Sequence, residues 1–318
     1  MIDVICVIGP TASGKTALGV SLAKLFNGEI VSADSMQIYR GMDISTAKPT
    51  TQEMCGIKHY MIDFVDTNVS YSVADYVVQA NKIINNIHSN NKVPIIVGGT
   101  GLYVDSLLNN TQFADIKSDD DLRQELYQLA DKNGIDYMLN ILSKFDVQSA
   151  ESLTQTRNLK RIIRAIEVYR LTGQTMTELN AKSHSIPSNL NPTKIGLTCY
   201  DRDKLYDRIN IRVDKMVQNG LVDEAFEVYQ RSLNDVSGTS AQAIGCKELF
   251  PYFRHEKTLQ ECIDKLKMET RRYAKRQLTW FKRDENIHWI FSDKFEGYEE
   301  ILAYTKQVLI KEGFKLNG

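Results

Sequence analysis

Short apolar runs separated by longer amphipathic stretches dominate the first hundred residues and predict a parallel α/β core. Residues 2–8, 29–33 and 93–97 are apolar enough for buried strands, and helix-like stretches lie between them. One of these stretches begins with Ser72-x-x-Asp75, which resembles a helix capping box. Strands that alternate with helices in this way are typical of βαβ units.

The first apolar run leads directly into a phosphate-binding motif of the form G-x-x-x-x-G-K-[ST]. Its eight residues are Gly9, Pro10, Thr11, Ala12, Ser13, Gly14, Lys15 and Thr16. Backbone N–H groups of such a loop, and the helix that follows it, bind a polyphosphate. Lys15 would reach the outer oxygens, and the Thr16 hydroxyl would be a ligand of Mg²⁺. The motif leaves open whether a phosphoryl group is transferred or diphosphate is only the leaving group.

The pattern changes to polar, helix-forming segments between about residues 113 and 191, with no strand pattern among them. A turn-rich stretch at 183–192 ends this region, and apolar runs at 194–200 and 287–291 predict a return to the sheet. The predicted fold is therefore an α/β P-loop NTPase-like parallel-sheet core with a helical insertion domain. We predict a first part of the core at 1–115, the insertion at 116–191, and a second part of the core with basic C-terminal helices at 192–318.

Composition excludes several classes of site. The 318 residues include 39 basic and 40 acidic ones, a formal charge of −1, so a nucleic-acid site must be a local patch. The five cysteines contain no C-x-x-C pair, and the five histidines lack metal-ligand spacing. No apolar run approaches the ~20 residues of a membrane span, and we find no signal peptide. We expect a monomer in a reducing, cytoplasmic compartment, without a membrane partner.

Two strand ends carry candidate chemistry. Asp34 follows the second apolar run, where its carboxylate could act as a general base or could cap a helix. The run at 93–97 ends in Gly98-Gly99-Thr100-Gly101, where an ATPase of the Walker type would have an aspartate. These glycines either let a ligand approach the backbone, with the Thr100 hydroxyl beside it, or form a simple turn.

Three groups of cations stand out. One, with helical spacing, comprises Arg157, Lys160, Arg161 and Arg164, and residues 271–283 combine six cations with three aromatic rings. Such groups suit single-stranded RNA, although solvated helices with local ion pairs are the ordinary alternative. Arg208 and Arg212, one helical turn apart, could reach a diphosphate or could pair with neighbouring aspartates.

Three motifs together resemble the bacterial tRNA dimethylallyltransferase (tRNA isopentenyltransferase) family. They are the phosphate loop and residues 34–49 and 97–103, and weaker matches lie at 164–168, 242–248 and 275–281. The resemblance implies transfer of a dimethylallyl group from dimethylallyl diphosphate to N6 of the adenosine 3′ of the anticodon in tRNA, with release of diphosphate. Mg²⁺ and the tRNA anticodon arm are the implied cofactor and partner.

The resemblance also implies residue roles. Asp34 would be the general base, and Thr100 would help to hold the reacting groups. Residues 11–16 would bind the diphosphate, with Lys15 neutralising its charge as it leaves. The implied tRNA contacts are Asp34, Ser35, Met36, Gln37, Thr100, Arg123, Lys160, Arg161, Ile162, Ile163, Arg164, Gln242, Ala243, Ile244, Gly245, Cys246, Lys247, Lys275 and Arg276. The sequence departs from the family pattern at Ser45 and Lys160. A P-loop small-molecule kinase and a nucleotide-gated RNA-binding protein are the alternative functions.

Overall fold

The computed structural model describes residues 1–114, 116–183, 185–233 and 243–317. The chain forms two compact units, one of Met1–Leu108 with Asn189–Gly318 and one of Asn109–Ser188. The second unit is the insertion, and it begins and ends a few residues before the predicted 116–191. No helix in the described ranges is both long enough and apolar enough to cross a bilayer.

The first unit contains a six-stranded parallel sheet, as the alternating pattern predicts. Its strands are β1 (Ile2–Ile8), β2 (Gly28–Ala33), β3 (His59–Tyr60), β4 (Val93–Gly98), β5 (Leu190–Thr198) and β6 (Ile287–Phe291). Its helices, numbered along the whole chain, are α1 (Lys15–Leu25), α2 (Thr51–Met54), α3 (Val73–Ser89), α4 (Gly101–Leu108), α10 (Arg202–Gln218), α11 (Leu221–Ser232), α12 (Phe250–Phe253), α13 (Leu259–Phe281) and α14 (Tyr298–Lys311).

The sheet order β3-β2-β4-β1-β5-β6 places the chemistry-bearing strand ends side by side. Ile8 at the end of β1 lies opposite Gly98 of β4, and Gly98 lies opposite Ala33 of β2. Because parallel strands end at the same edge, the phosphate loop, Asp34 and Thr100 follow three neighbouring strands. The sheet is buried on both faces: Val4, Cys6 and Ile8 pack in one apolar layer, and the intervening residues of β1 pack in the other.

β5 starts earlier than the sequence indicates, which corrects the prediction of a turn over 183–192. The strand begins at Leu190, and its parallel pairing with β1 runs from Ile2↔Leu190 to Ile8↔Gly196. Pro192 lies inside the strand, opposite Val4. β6 pairs with β5 only from Lys194 onward, so the strand at Pro192 has a neighbour on one side, where proline is tolerated.

The second unit is helical, as predicted. Its helices are α5 (Asp120–Asn133), α6 (Ile135–Ser143), α7 (Val147–Thr156), α8 (Leu159–Thr172) and α9 (Met176–Ser183). Leu126, Met138 and Ile162 are fully buried in its own apolar core. The buried Asp146 caps α7 through the Ser149 N–H and also accepts a hydrogen bond from the Thr177 hydroxyl, which joins α7 to α9.

Candidate active site

A cavity of about 340 Å³ lies at the carboxyl ends of the central strands of the first unit. The phosphate loop, the β2 end and helices α10 and α13 all contribute to its wall. Polar and charged side chains that line it include Thr11, Lys15, Thr16, Asp34, Gln37, Arg212, Lys247, Tyr273, Arg276 and Gln277. A concave site with converging charges at this edge of a parallel sheet is the expected place for a ligand.

The phosphate loop has the conformation that its glycines permit. Gly9 and Gly14 have φ values of 142° and 95°, and a Cβ on Gly9 would lie 2.3 Å from the carbonyl oxygen of Leu197. Helix α1 begins at Lys15 without a side-chain cap, so the N–H groups of its first turn are not occupied by a capping side chain. The loop and this helix terminus together form an anion site.

Two cations converge on the loop. The Lys15 ammonium donates a hydrogen bond to the carbonyl of Pro10 at 2.6 Å, and Arg212 Nη1 donates to the Thr11 hydroxyl at 3.4 Å. Burial and the neighbouring Arg212 charge lower the pKa of Lys15 to about 7, against the opposing attraction of Asp34. Two close cations that destabilise each other in this way favour a bound polyanion.

Asp34 is not a helix cap. Its Oδ1 accepts a hydrogen bond from the backbone N–H of Met36 at 2.9 Å, which stabilises a turn, and the next helix, α2, begins only at Thr51. The helix-capping alternative is therefore wrong. The carboxylate lines the same cavity as the loop cations, close enough to affect the pKa values of Lys15 and Tyr273.

Thr100 supports this carboxylate from behind the cavity wall. Its hydroxyl accepts a hydrogen bond from the Ser35 N–H at 3.0 Å, and its own N–H donates to the Ala33 carbonyl at 3.1 Å. A Cβ on Gly98 would lie 2.2 Å from that same carbonyl oxygen. At Gly98 the backbone of β4 is thus close to the neighbouring strand β2 and not to a ligand. This close packing holds Thr100 against the Asp34 turn.

A family model described as IPP transferase matches residues 37–284 of the chain. The chain belongs to the IPP transferase family. The tRNA dimethylallyltransferase of Acetivibrio thermocellus is 46% identical over 316 residues, covering 99% of this chain and 100% of that one. The tRNA dimethylallyltransferase of Halalkalibacterium halodurans is 47% identical, with 90% of each chain covered.

Solved structures agree with this membership and with the predicted P-loop core. The tRNA isopentenylpyrophosphate transferase from Bacillus halodurans superposes with a TM-score of 0.72 at 42% identity, covering 98% of this chain and 96% of that one. A eukaryotic dimethylallyltransferase acting on tRNA gives a TM-score of 0.80 at 26% identity, covering 100% of this chain and 81% of that one.

Several of the implied RNA contacts of this IPP transferase family member lie together at the cavity. Residues that line it from that set are Asp34, Ser35, Met36, Gln37, Ala243, Ile244, Gly245, Lys247 and Arg276. Lys275 is exposed on α13, one residue from Arg276. The prediction for Cys246 is corrected, because its side chain is fully buried beside Ser45. Gln242 lies outside the described residues.

The helical unit corrects other RNA-contact predictions. Lys160 and Arg161 are exposed in the first turn of α8, whereas the side chains of Ile162 and Ile163 are buried in the core of the unit and cannot present themselves to an RNA. Their role is to hold α8 in place.

Arg164 and Arg123 are committed to a carboxylate rather than free. Each forms an ion pair with the fully buried Glu167, at 2.7 Å and 2.9 Å. The paired cations and a hydrogen bond from the Asp119 N–H lower the pKa of Glu167, and they outweigh the effect of its burial. The ordinary alternative of a local ion pair is therefore correct for Arg164, and Arg123 forms an ion pair as well. The implied tRNA contacts of both arginines stay predictions.

The two arginines of α10 occupy different environments. Arg212 lines the cavity beside Lys15, while Arg208 is exposed and donates a hydrogen bond to the Ser292 hydroxyl at 2.9 Å. The diphosphate prediction for Arg208 is therefore corrected, because its guanidinium is directed to the end of β6. Pairing of these arginines with Asp214 is also wrong, since Asp214 pairs with Lys267.

The C-terminal basic stretch has an exposed cationic face and a second face that packs against the protein. A count of cations and rings does not show this division. Phe281 is buried, and Trp280 packs against the core and donates a hydrogen bond to Asp105 at 2.6 Å, so neither ring is a platform for unstacked bases. Tyr273 and Gln277 point into the cavity wall. The sequence analysis counted Tyr273 only as one of three rings for RNA and missed Gln277, although the spacing of Tyr273, Gln277 and Trp280 would have placed all three on one face.

Glu224, at the start of α11, is a further missed residue. Its carboxylate accepts hydrogen bonds from the backbone N–H groups of Asp43, Ile44 and Ser45 at 2.7–2.8 Å. This fixes a segment of the cavity wall, and the following carbonyls accept hydrogen bonds from the Gln37 amide. A glutamate in the first turn of a helix gives no sequence signal of such a long-range role.

The donor set fits a magnesium ion that is bound largely by its ligand. Among the described residues no cluster of three histidine, cysteine or acidic side chains could hold a metal. Thr16 nevertheless lines the cavity beside the loop N–H groups and Lys15. Mg²⁺ is commonly bound by one or two protein oxygens together with phosphate oxygens and water, so a single hydroxyl is sufficient.

Proposed function

We propose that this IPP transferase family member transfers a dimethylallyl group from dimethylallyl diphosphate to the exocyclic N6 of the adenosine 3′ of the anticodon in tRNA. The observation that carries the proposal is the content of one cavity: Lys15 and Arg212 lie at a phosphate loop, and the Asp34 carboxylate lines the same cavity. The names of the relatives, transferases acting on tRNA, support the same reaction.

The leaving group is stabilised by the loop side of the cavity. The allylic C–O bond breaks with its electrons going to the diphosphate oxygen, and positive charge near that oxygen lowers the barrier. Lys15, Arg212 and the loop N–H groups supply this charge before the reaction begins, so little reorganisation is required. Mg²⁺, bound by the Thr16 hydroxyl and the diphosphate, would add further charge neutralisation.

The acceptor is activated by the opposite side. As the new C–N bond forms at N6, the amine loses a proton, and the Asp34 carboxylate receives it. The hydrogen bonds from Met36 to Asp34 and from Ser35 to Thr100 hold this turn in one geometry. A base that is stacked in an anticodon loop must be flipped out to reach such a pocket.

The alternative of a P-loop kinase is not favoured. β4 ends at Gly98, and Gly98 and Gly99 pack against the protein itself, where a Walker ATPase would have its metal-binding aspartate. The reaction proposed here needs neither ATP nor a catalytic water, because diphosphate leaves intact. A nucleotide-gated RNA-binding protein would form no covalent product, which distinguishes it in the same experiment.

The test incubates unmodified tRNA with labelled dimethylallyl diphosphate and Mg²⁺, without ATP. We expect label in tRNA with the wild type, and a rate lower by about 10²–10⁴-fold with Asp34→Asn, since a general base is lost. Asp66→Asn is the matched control, because Asp66 pairs with Arg40 at the surface. Absence of label with the wild type, or an obligatory need for ATP, would refute the proposal.

A further inference from the structure

One face of α13 is built to hold two loops of the active site together. Tyr273, Gln277 and Trp280 have i, i+4, i+7 spacing and therefore share that face of the helix. Gln277 is only 5% exposed and Trp280 packs against the core, whereas the cations Lys275 and Arg276 between them are exposed. The buried face contacts the phosphate loop and the segment that follows β4.

Gln277 forms both contacts with a single amide group. Its Oε1 accepts a hydrogen bond from the Thr11 N–H at 2.9 Å, and its Nε2 donates to the Gly99 carbonyl at 2.9 Å. A planar amide that uses its acceptor and its donor in opposite directions fixes both the distance and the orientation of the two loops. Because the group is buried, loss of either partner leaves an unsatisfied polar atom.

The packing around this amide leaves it no freedom. A Cβ on Gly99 would lie 2.2 Å from Gln277 Nε2, and a Cβ on Gly101 would lie 2.3 Å from the Trp280 ring. The Trp280 indole donates its hydrogen bond to Asp105 in α4. The segment after β4 thus contacts α13 at Gly99, Gly101 and Asp105, and a side chain at Gly99 or Gly101 would have to displace Gln277 or Trp280.

The two loops that Gln277 joins carry opposite halves of the reaction. The phosphate loop binds the leaving group, while Thr100, next to Gly99, supports the Asp34 turn through the Ser35 N–H. Transfer requires the amine nitrogen, the allylic carbon and the departing oxygen to be aligned, and a misplacement of about 1 Å can lower the rate about 10²-fold. Their alignment therefore depends on the distance between these loops.

We propose that Gln277 is a positioning residue that sets the diphosphate cradle in register with the base-bearing loop. It contacts protein atoms on both sides and takes no part in bond making. The inference rests on the proposed transfer reaction, and it predicts that Gln277 acts on turnover more than on the binding of either substrate alone.

The test compares Gln277→Ala with Gln260→Ala, an exposed glutamine of the same helix that hydrogen-bonds only to Asp264 among the described residues. We expect kcat to fall about 10–100-fold for Gln277→Ala, with KM for both substrates changed less than about threefold. The affinity for inorganic diphosphate, measured by calorimetry, should also change less than about threefold. A kcat within about twofold of that of Gln260→Ala would overturn the proposal, even if the melting temperature fell.

Two further variants keep the proposal falsifiable if alanine impairs folding. Gln277→Glu keeps the size and the acceptor but turns the second contact into a repulsion with the Gly99 carbonyl, so its kcat should fall at least as far. Gly99→Ala should displace the same amide and lower kcat similarly. A loss confined to KM for dimethylallyl diphosphate would make Gln277 a diphosphate ligand and overturn the inference. If wild type and Gln260→Ala transferred nothing, the proposed function itself would fail.

Discussion

The cations of the cavity and those of the helical unit look alike in sequence but occupy opposite electrostatic environments. In the helical unit, Arg123 and Arg164 share the buried carboxylate of Glu167. In the cavity, Lys15 and Arg212 have no ion-pair partner among the described residues, and their polar contacts are to a carbonyl and a hydroxyl. Asp34 attracts both cations, and Glu53 also attracts Arg212, without an ion pair to either cation among the described residues.

The difference separates a structural cation from a functional one. An ion pair with a buried carboxylate satisfies both charges: Arg123 joins α5 to α8 through Glu167, and Arg164 pairs with Glu167 within α8. Two neighbouring cations without a carboxylate destabilise one another until an anion binds. The pairing of a cation, rather than its position in a basic cluster, therefore indicates whether it is available to a ligand.

The largest effect on the structural side should come from Glu167→Gln. Removing the charge leaves two half-buried arginines without a carboxylate partner, which should lower the free energy of unfolding by about 2–4 kcal/mol. Asp136→Asn is the control, because its pair with Arg157 is exposed and should be worth less than about 0.5 kcal/mol. Urea denaturation followed by circular dichroism measures both, and equal losses would contradict the distinction.

The pH dependence of the free energy of unfolding tests the same ion pairs in a second way. The pKa of Glu167 is lowered in the folded state, so its pairs contribute fully above the ordinary glutamate pKa. That contribution is lost as the pH falls through the lowered pKa. The difference in the free energy of unfolding between the wild type and Glu167→Gln should therefore become smaller as the pH falls.

The next largest effect should separate Arg212 from Arg208. Arg212→Ala should lower kcat/KM for dimethylallyl diphosphate about 10–100-fold, because a preorganised charge beside the leaving group is lost. Arg208→Ala should change it less than about threefold, since that side chain is bound to Ser292. Steady-state kinetics at saturating tRNA decides between them. Equal losses would mean that both arginines reach the diphosphate when it is bound.

The sequence predicts what is local. The strands and helices of the core, the capping box at Ser72 and the strand-loop-helix conformation around residues 9–16 are confirmed, because each depends on neighbours within a few residues. The sheet order is a property of long-range pairing and is not contained in any local pattern. The early start of β5 was hidden because Pro192 and its polar neighbours resemble a turn until the pairing with β1 is known.

The residues that the sequence analysis missed share a physical cause. Gln277 contacts Thr11 and Gly99, and Glu224 contacts backbone N–H groups near Ser45, in each case across more than a hundred residues of chain. Arg123 meets Glu167 in the same long-range manner. Residue type and spacing indicate which side chains are charged, but only the fold determines which charges are neutralised.

The smallest effect should be the uptake of a proton by Lys15 when diphosphate binds. The pKa of this lysine is lowered to about 7, and a bound diphosphate would raise it. Below pH 7 the ammonium is already charged, so no proton is taken up. Above pH 7 binding requires a proton, and the affinity for inorganic diphosphate should fall by at most about tenfold per pH unit relative to Lys15→Arg, which stays charged.

Calorimetry without a divalent cation measures this difference directly. Titrations of diphosphate in buffers with different ionisation enthalpies give the number of protons taken up on binding. For the wild type this number should approach one near pH 8.5. For Lys15→Arg it should be lower by nearly that amount. Protonation of the diphosphate itself contributes equally to both proteins, so the difference in proton uptake between them is due to Lys15. Identical proton uptake by both proteins would mean that Lys15 is fully charged in the empty cavity, and the contrast with the neutralised arginines of the helical unit would then rest on Arg212 alone.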